Sequence, residues 1–187
     1  ALRRSSAKSI TAVLPYYAYA RQDQQDRPRT PITAKLLADL LHAAGIDRVL
    51  AMDMHAAQIQ GFFSQPVEHL YATKNLINAM SNIAGVEPEH RIVVAPDAGG
   101  VERARYVGNK VGAPIAIIDK RRSGPNVAEV MHVIGEVEGK DCFIFDDMID
   151  TAGTLCSAAV ALKENGARRV WAFATHGLFN GPACDRI

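Results

Sequence analysis

Four short, wholly apolar runs constrain this chain more than any other feature. Ile92-Val93-Val94-Ala95, Ile115-Ala116-Ile117-Ile118, Cys142-Phe143-Ile144-Phe145 and Val170-Trp171-Ala172-Phe173-Ala174 carry no polar position. A strand that faces water on one side alternates apolar with polar residues; a run without alternation is covered on both faces. Three of the runs open directly into charged or glycine-rich turns, and two of those turns lead into helical periodicity. Val101–Val111 follows the first run, and Leu155–Asn165 follows the third. Leu155, Ala158, Ala159 and Leu162 form one apolar stripe on the latter, and Gly166 stops it. Strands alternating with amphipathic helices predict a parallel sheet with helices on both faces. On such sheets ligands bind beyond the carboxyl ends of the strands, which is where the charged turns of this chain lie.

The first part of the chain repeats the scheme more faintly. Ile10–Leu14 and Arg48–Met52 read as strands, and Lys74–Ala84 reads as a helix closed by Gly85. Residues 21–29 are polar and read as a mobile loop. Thr30-Pro31 is expected to open a helix, with Thr30 as N-cap and Pro31 at the first helical position. Ile32, Leu36, Leu37, Leu40, Leu41 and Ala44 form its apolar side, and Gly45 ends it. The 187 residues suffice for one sizeable core and fall a little short of two full domains.

Composition excludes several classes. The formal net charge of +1 is low for a nucleic-acid binder, and the basic residues sit in short groups beside acids, as small anionic ligands require. No apolar stretch approaches the roughly 20 residues of a membrane span. Three cysteines without paired spacing do not form a disulfide framework, and Cys142 is expected to be a plain core residue. A reducing, cytoplasmic setting is expected. The start, Ala1-Leu2-Arg3-Arg4, has no signal-peptide character and no initiator Met, so the chain is read as part of a longer parent. Arg3, Lys8, Asp47, Arg48, Glu136 and Lys140 are read as solvated surface.

The most specific chemistry lies in Asp146-Asp147-Met148-Ile149-Asp150-Thr151-Ala152-Gly153-Thr154. Two acids end a buried strand, where a carboxylate can accept from vicinal sugar hydroxyls. The Thr, Ala, Gly and Thr that follow run into a helix, and small residues let backbone N–H groups approach a phosphate. Acids for a sugar beside donors for a phosphate suit a ribose 5-phosphate. This run resembles the phosphoribosyl-pyrophosphate motif shared by type I phosphoribosyltransferases and ribose-phosphate pyrophosphokinases.

Four further segments, in the same order as in the second family, resemble ribose-phosphate pyrophosphokinases in particular. Asp119-Lys120-Arg121-Arg122 with Asn126-Val127-Ala128-Glu129-Val130 resembles their catalytic loop, and the resemblance implies Lys120 and Arg122 as stabilisers of the transferred phosphoryl charge. Arg122 also joins the expected ribose 5-phosphate site. Tyr19-Ala20-Arg21-Gln22-Asp23 resembles the ATP loop, with Arg21 and Gln22 on the nucleotide. Met52-Asp53-Met54-His55-Ala56-Ala57-Gln58 implies His55 beside the magnesium of Mg-ATP. Pro96-Asp97-Ala98-Gly99-Gly100 resembles the pyrophosphate loop, with Asp97 on Mg²⁺ and Ala98, Gly99 and Gly100 offering backbone to diphosphate.

The resemblance covers nearly the whole chain. It implies an α/β, parallel-sheet, phosphoribosyltransferase-like (type I) fold of two pseudo-symmetric half domains, incomplete at both ends. Residues 1–70 are expected to be the latter part of the first half and 71–187 most of the second. It further implies transfer of the diphosphoryl group of ATP to ribose 5-phosphate, with Mg²⁺ as cofactor. It implies homo-oligomers of the dimers-within-hexamers type, without a nucleic acid or membrane partner. A phosphoribosyltransferase and a non-catalytic regulatory relative are the alternatives.

Overall fold

The computed structural model describes residues 1–121 and 130–187, with the backbone alone at residues 121 and 130. The chain divides into two compact units, Ala1–Ala72 and Thr73–Ile187.

The first unit holds a three-stranded parallel sheet in the order β1 (Thr11–Leu14), β2 (Arg48–Met52), β3 (Val67–Leu70), with helix α1 (Thr33–Ala43) between β1 and β2 in sequence. Val49 and Ala51 of the central strand are fully buried with Tyr17, Ala34 and Ile59. Tyr17 packs edge-on against Phe63 at 5.5 Å and donates its hydroxyl to Ala34 O at 2.7 Å. Burial pushes that phenol up to about 12, with Asp39 adding to the effect. Asp47 is no idle surface acid: it accepts from Ile10 N at 2.7 Å and from Arg3 at 2.8 Å, fixing the chain just before β1.

Helix α1 departs from expectation at its start and on its face. It begins at Thr33 with Ile32 as N-cap and no side-chain cap. Thr30 instead donates its hydroxyl to Arg27 O at 2.7 Å, closing the preceding turn, a local bond that competes with capping. The buried line is the small residues Ala34 and Ala38, with Leu37 and Leu41 beside them, whereas Leu36 and Leu40 are exposed.

The second unit is a five-stranded sheet in the order β6 (Val130–Ile134), β5 (Ile115–Arg121), β4 (Arg91–Ala95), β7 (Asp141–Ile149), β8 (Arg169–Gly177). All pairs are parallel except β5–β6. Side chains alternate across it as pleating requires. Ile92, Val94, Cys142 and Ile144 face Ala158 and Leu162 of α4 (Gly153–Glu164). Val93, Ala95, Phe143 and Phe145 face Met80 of α2 (Thr73–Ser81) and Ala104 and Val107 of α3 (Val101–Val111). Each of those large side chains contributes roughly 1.5–3 kcal/mol by leaving water, which is why the runs carry no polar residue. Cys142 is a core residue, its thiol pushed up to about 11 by burial.

Two strands run past their apolar segments. β7 continues through Asp146 and Asp147 to Ile149, because β8 pairs with it as far as Gly177. β6 forms an antiparallel edge that the sequence reading leaves unassigned. A short helix, α5 (Ala183–Arg186), follows β8.

Gly108 lets α3 sit close to the turn into β5. A Cβ there would stand 2.8 Å from Ala113 O and 2.9 Å from Ile115 Cγ2. Ala favours helix over Gly by up to about 1 kcal/mol, but overpacking of about 1–3 kcal/mol outweighs it. Gly108→Ala is therefore expected to lower the urea midpoint. A raised midpoint would show that the 113–115 turn gives way freely.

Candidate active site

The expected nucleotide residues lie in the first unit. Arg21 and Gln22 line a cavity of about 310 Å³ with Gln24, Asp26, Arg27, Thr30 and Pro31. Gln22 is held through its backbone, its N–H donating to Tyr19 O at 2.8 Å and its carbonyl accepting from Ala34 N at 3.2 Å. Two guanidinium groups beside amide and hydroxyl groups can bind a polyanion and offer a flat cation to a base.

His55 is exposed on the turn after β2. The turn itself is fixed. Asp53 is buried at φ 39, accepts from Ala72 N at 2.9 Å, and donates its own N–H to Leu70 O at 2.8 Å. Met54 N donates to His69 Nε2 at 2.9 Å. That nitrogen is therefore unprotonated, and the proton sits on Nδ1, 3.2 Å from the Tyr71 hydroxyl. Burial lowers the His69 pKa, which keeps the ring neutral and this acceptor in place.

The remaining candidates lie in the second unit. Asp97 follows β4 and accepts from Gly100 N at 3.1 Å, opening the turn that leads into α3. The Gly100 N–H, expected to face diphosphate, is thus turned back on Asp97, and Gly100 is buried beneath Pro96. Ala98 and Gly99 remain on the exposed side of the turn. Lys120 lies on β5 opposite Met131 of β6. Arg122 and the loop residues through Glu129 lie outside the described residues. Through the registers with β4, Lys120 stands near the level of Met148 on β7, at the same end of the sheet and two strand spacings away, or roughly 10 Å.

Asp146 and Asp147 sit side by side on β7, Asp147 buried and Asp146 half-buried. One cation serves both: Arg103 of α3 stands 3.4 Å from Asp146 Oδ1 and 3.5 Å from Asp147 Oδ1. Burial is the largest influence on Asp146, and the neighbouring Asp147 adds to it. Together they raise its carboxyl to about 7 against the opposing pull of Arg103. No motif marks Arg103. Its only sequence signal is a basic residue in the first turn of the helix after the glycines.

Beyond β7, Asp150 and Thr151 lead to Ala152, which adopts φ 58 as the N-cap of α4. No side chain caps this helix, and Gly153 and Thr154 form its first turn. An uncapped N-terminus with small residues around it presents N–H donors and a positive dipole end to an anion. Among the described residues no group of three or more His, Cys, Asp or Glu side chains could hold a metal ion, and no helix is long and apolar enough to cross a membrane.

Comparison with known proteins gives the family. Residues 1–45 match the N-terminal domain of ribose phosphate pyrophosphokinase, and residues 59–183, more than half of the chain, match the phosphoribosyl transferase domain. The chain belongs to the phosphoribosyl transferase domain family. It is 58% identical over 187 residues to a ribose-phosphate pyrophosphokinase of Aquifex aeolicus, covering 100% of this chain and 60% of that protein. It is 57% identical over 188 residues to one of Neisseria meningitidis, covering 100% and 57%. Phosphoribosylpyrophosphate synthetase from Mycobacterium smegmatis superposes with a TM-score of 0.90 at 46% identity, over 99% of this chain and 59% of that one. The chain thus spans about three fifths of the length of the curated relatives it matches. The family fold is the phosphoribosyltransferase-like one that the motif resemblance implied, and its parallel sheet is the one the strand pattern predicted.

Proposed function

We propose that this chain is the substrate-binding portion of a ribose-phosphate pyrophosphokinase. The observation that carries this is the Arg103-bridged acid pair on β7, which leads within a few residues to the uncapped, small-residue start of α4. Carboxylates at one end of a short loop and N–H donors at the other match the hydroxyls and the phosphate of ribose 5-phosphate. The match of residues 1–45 favours the pyrophosphokinase over a phosphoribosyltransferase, which would share the acid pair and the loop.

In this reading Asp146 and Asp147 accept from the ribose hydroxyls, and Asp150, Thr151, Ala152, Gly153 and Thr154 cradle the 5-phosphate. Arg21 and Gln22 hold ATP in the cavity they line. The anomeric oxygen attacks the β-phosphorus in line. The bond from that phosphorus to the bridging oxygen of the α-phosphate breaks, AMP departs, and the hydroxyl proton is released. Lys120, with Arg122, stabilises the charge on the moving phosphoryl oxygens. Mg²⁺ travelling with ATP supplies charge neutralisation across the phosphates. Such an ion takes one or two protein carboxylates with water and phosphate oxygens, so the single carboxylate of Asp97 fits it without a protein cage, and the family resemblance adds His55 as a further candidate. A homo-oligomer in the cytoplasm completes the proposal.

The test is AMP release from Mg-ATP and ribose 5-phosphate. Lys120→Ala is expected to lower the rate about a hundredfold. Equal rates would remove Lys120 from this role, and base-dependent pyrophosphate release from phosphoribosyl pyrophosphate would favour the transferase instead.

A further inference from the structure

Three consecutive carbonyls, at the end of β7 and in the loop that leads to α4, are held by one downstream segment. Ile149 O accepts from Leu178 N at 2.9 Å and Phe179 N at 3.2 Å, and Asp150 O accepts from Asn180 N at 3.0 Å. Thr151 O accepts from Arg186 Nη1 at 2.9 Å. The Asp150 carboxylate accepts from Asn180 Nδ2 at 2.8 Å. Cys156, in the first turns of α4, donates its thiol hydrogen to Arg186 O at 3.4 Å, so the helix is tied to the same segment.

These bonds fix which way the loop presents its backbone. In a planar trans peptide the C=O and the following N–H point in opposite directions. Carbonyls fixed toward residues 178–186 therefore direct the N–H groups of the next residues away from that segment. Thr151 O and Ala152 N belong to one peptide group, so a guanidinium on the oxygen polarises the N–H into a stronger donor. Ala152 meanwhile holds a left-handed φ of 58, which an L-residue adopts only under constraint. The guanidinium also lies close behind the loop: a Cβ on Gly153 would stand 3.3 Å from Arg186 Nη1.

We propose that Leu178–Arg186 is a brace that holds the 150–154 loop in its phosphate-accepting form, with Arg186 as a positioning residue acting through the Thr151–Ala152 peptide. The ligand class is a phosphomonoester, and the inference rests on the ribose 5-phosphate reading of the loop. The brace makes the loop's affinity for phosphate depend on residues that touch no substrate.

Calorimetric titration of the 187-residue chain with ribose 5-phosphate, and separately with inorganic phosphate, tests this. Arg186→Met is expected to weaken both ligands about tenfold, the effect of one lost charge-assisted hydrogen bond, with an unchanged melting temperature. Arg186→Lys keeps the charge and a donor and is expected to stay within about threefold of the parent. Asn180→Ala, which keeps its backbone bond to Asp150, is expected to cost about threefold; should Arg186→Met not fold, this variant and Arg186→Lys decide the question. Unchanged affinities in the folded variants, or equal losses in Arg186→Met and Arg186→Lys, would overturn the brace while leaving the ribose 5-phosphate reading standing. Failure of the parent chain to bind either ligand would overturn that reading, and the brace with it.

Discussion

Asp141→Ala is expected to destabilise the second unit by about 3 kcal/mol, as for a buried ion pair broken on one side. The Asp141 carboxylate is fully buried at the first position of β7. It accepts from Arg168 Nε at 2.9 Å and from Arg169 Nε and Nη2 at 2.9 Å each, with a further contact from Arg168 Nη2. Arg169 continues from this carboxylate to Gly85 O and over the ring of Trp171, so one acid fixes the start of β7, the start of β8 and the end of the α2 segment. Hydrogen bonds from Arg169 hold its pKa far below the usual carboxylate range against the opposing effect of burial. The sign follows from linkage: a depressed folded pKa stabilises the fold above the ordinary value near 3.8, and that stabilisation is lost as pH falls through the folded value. Urea unfolding at pH 7 measures the loss. Repeated toward pH 3, the gap between the two proteins should narrow. A loss below about 1 kcal/mol at pH 7 would mean that water screens the pair, since both arginines are partly exposed.

The sequence disclosed this half of the fold more readily than the other, for a physical reason. β4, β7 and β8 are central or long strands, and β4 and β7 are covered on both faces, so burial writes itself as uninterrupted apolar residues. β3, Val67-Glu68-His69-Leu70, is a short edge strand with alternate exposed positions, and β6 carries His132 in its middle; neither stands out in composition. Leu36 and Leu40 fit a helical stripe but face outward, because small Ala34 and Ala38 let α1 pack closely. Helical spacing locates apolar faces without saying which one is covered. The acid pair and the small-residue loop were legible because their chemistry is local. Arg103 and Arg186 were not, because each acts on a partner more than 30 positions away that only the packing of helices brings near.

The acid pair itself supports the sharpest functional expectation. Asp147→Asn should weaken ribose 5-phosphate about a hundredfold, since a carboxyl group that accepts hydroxyl hydrogens becomes an amide that donates as well as accepts in a buried position, at a cost of roughly 2–3 kcal/mol. Asp146→Asn should depend on pH. Burial and Asp147 raise the Asp146 carboxyl to about 7, with Arg103 as the opposing charge, so near pH 6 it is largely neutral and Asn changes little. Near pH 8 it is ionised, and the same substitution removes a full acceptor. The affinity of the parent protein should therefore rise between pH 6 and 8, whereas that of Asp146→Asn should stay nearly level. Stability runs the other way: a raised folded pKa favours the native state at low pH, and that contribution falls as pH climbs toward 7. The phosphate of the ligand also gains charge near pH 6, so 2-deoxyribose 5-phosphate is the control, with the same phosphate and one fewer hydroxyl. The ratio of the two affinities isolates the carboxylates. A ratio that is flat from pH 6 to 8 in the parent protein would show that the pair does not contact the ribose 2-hydroxyl.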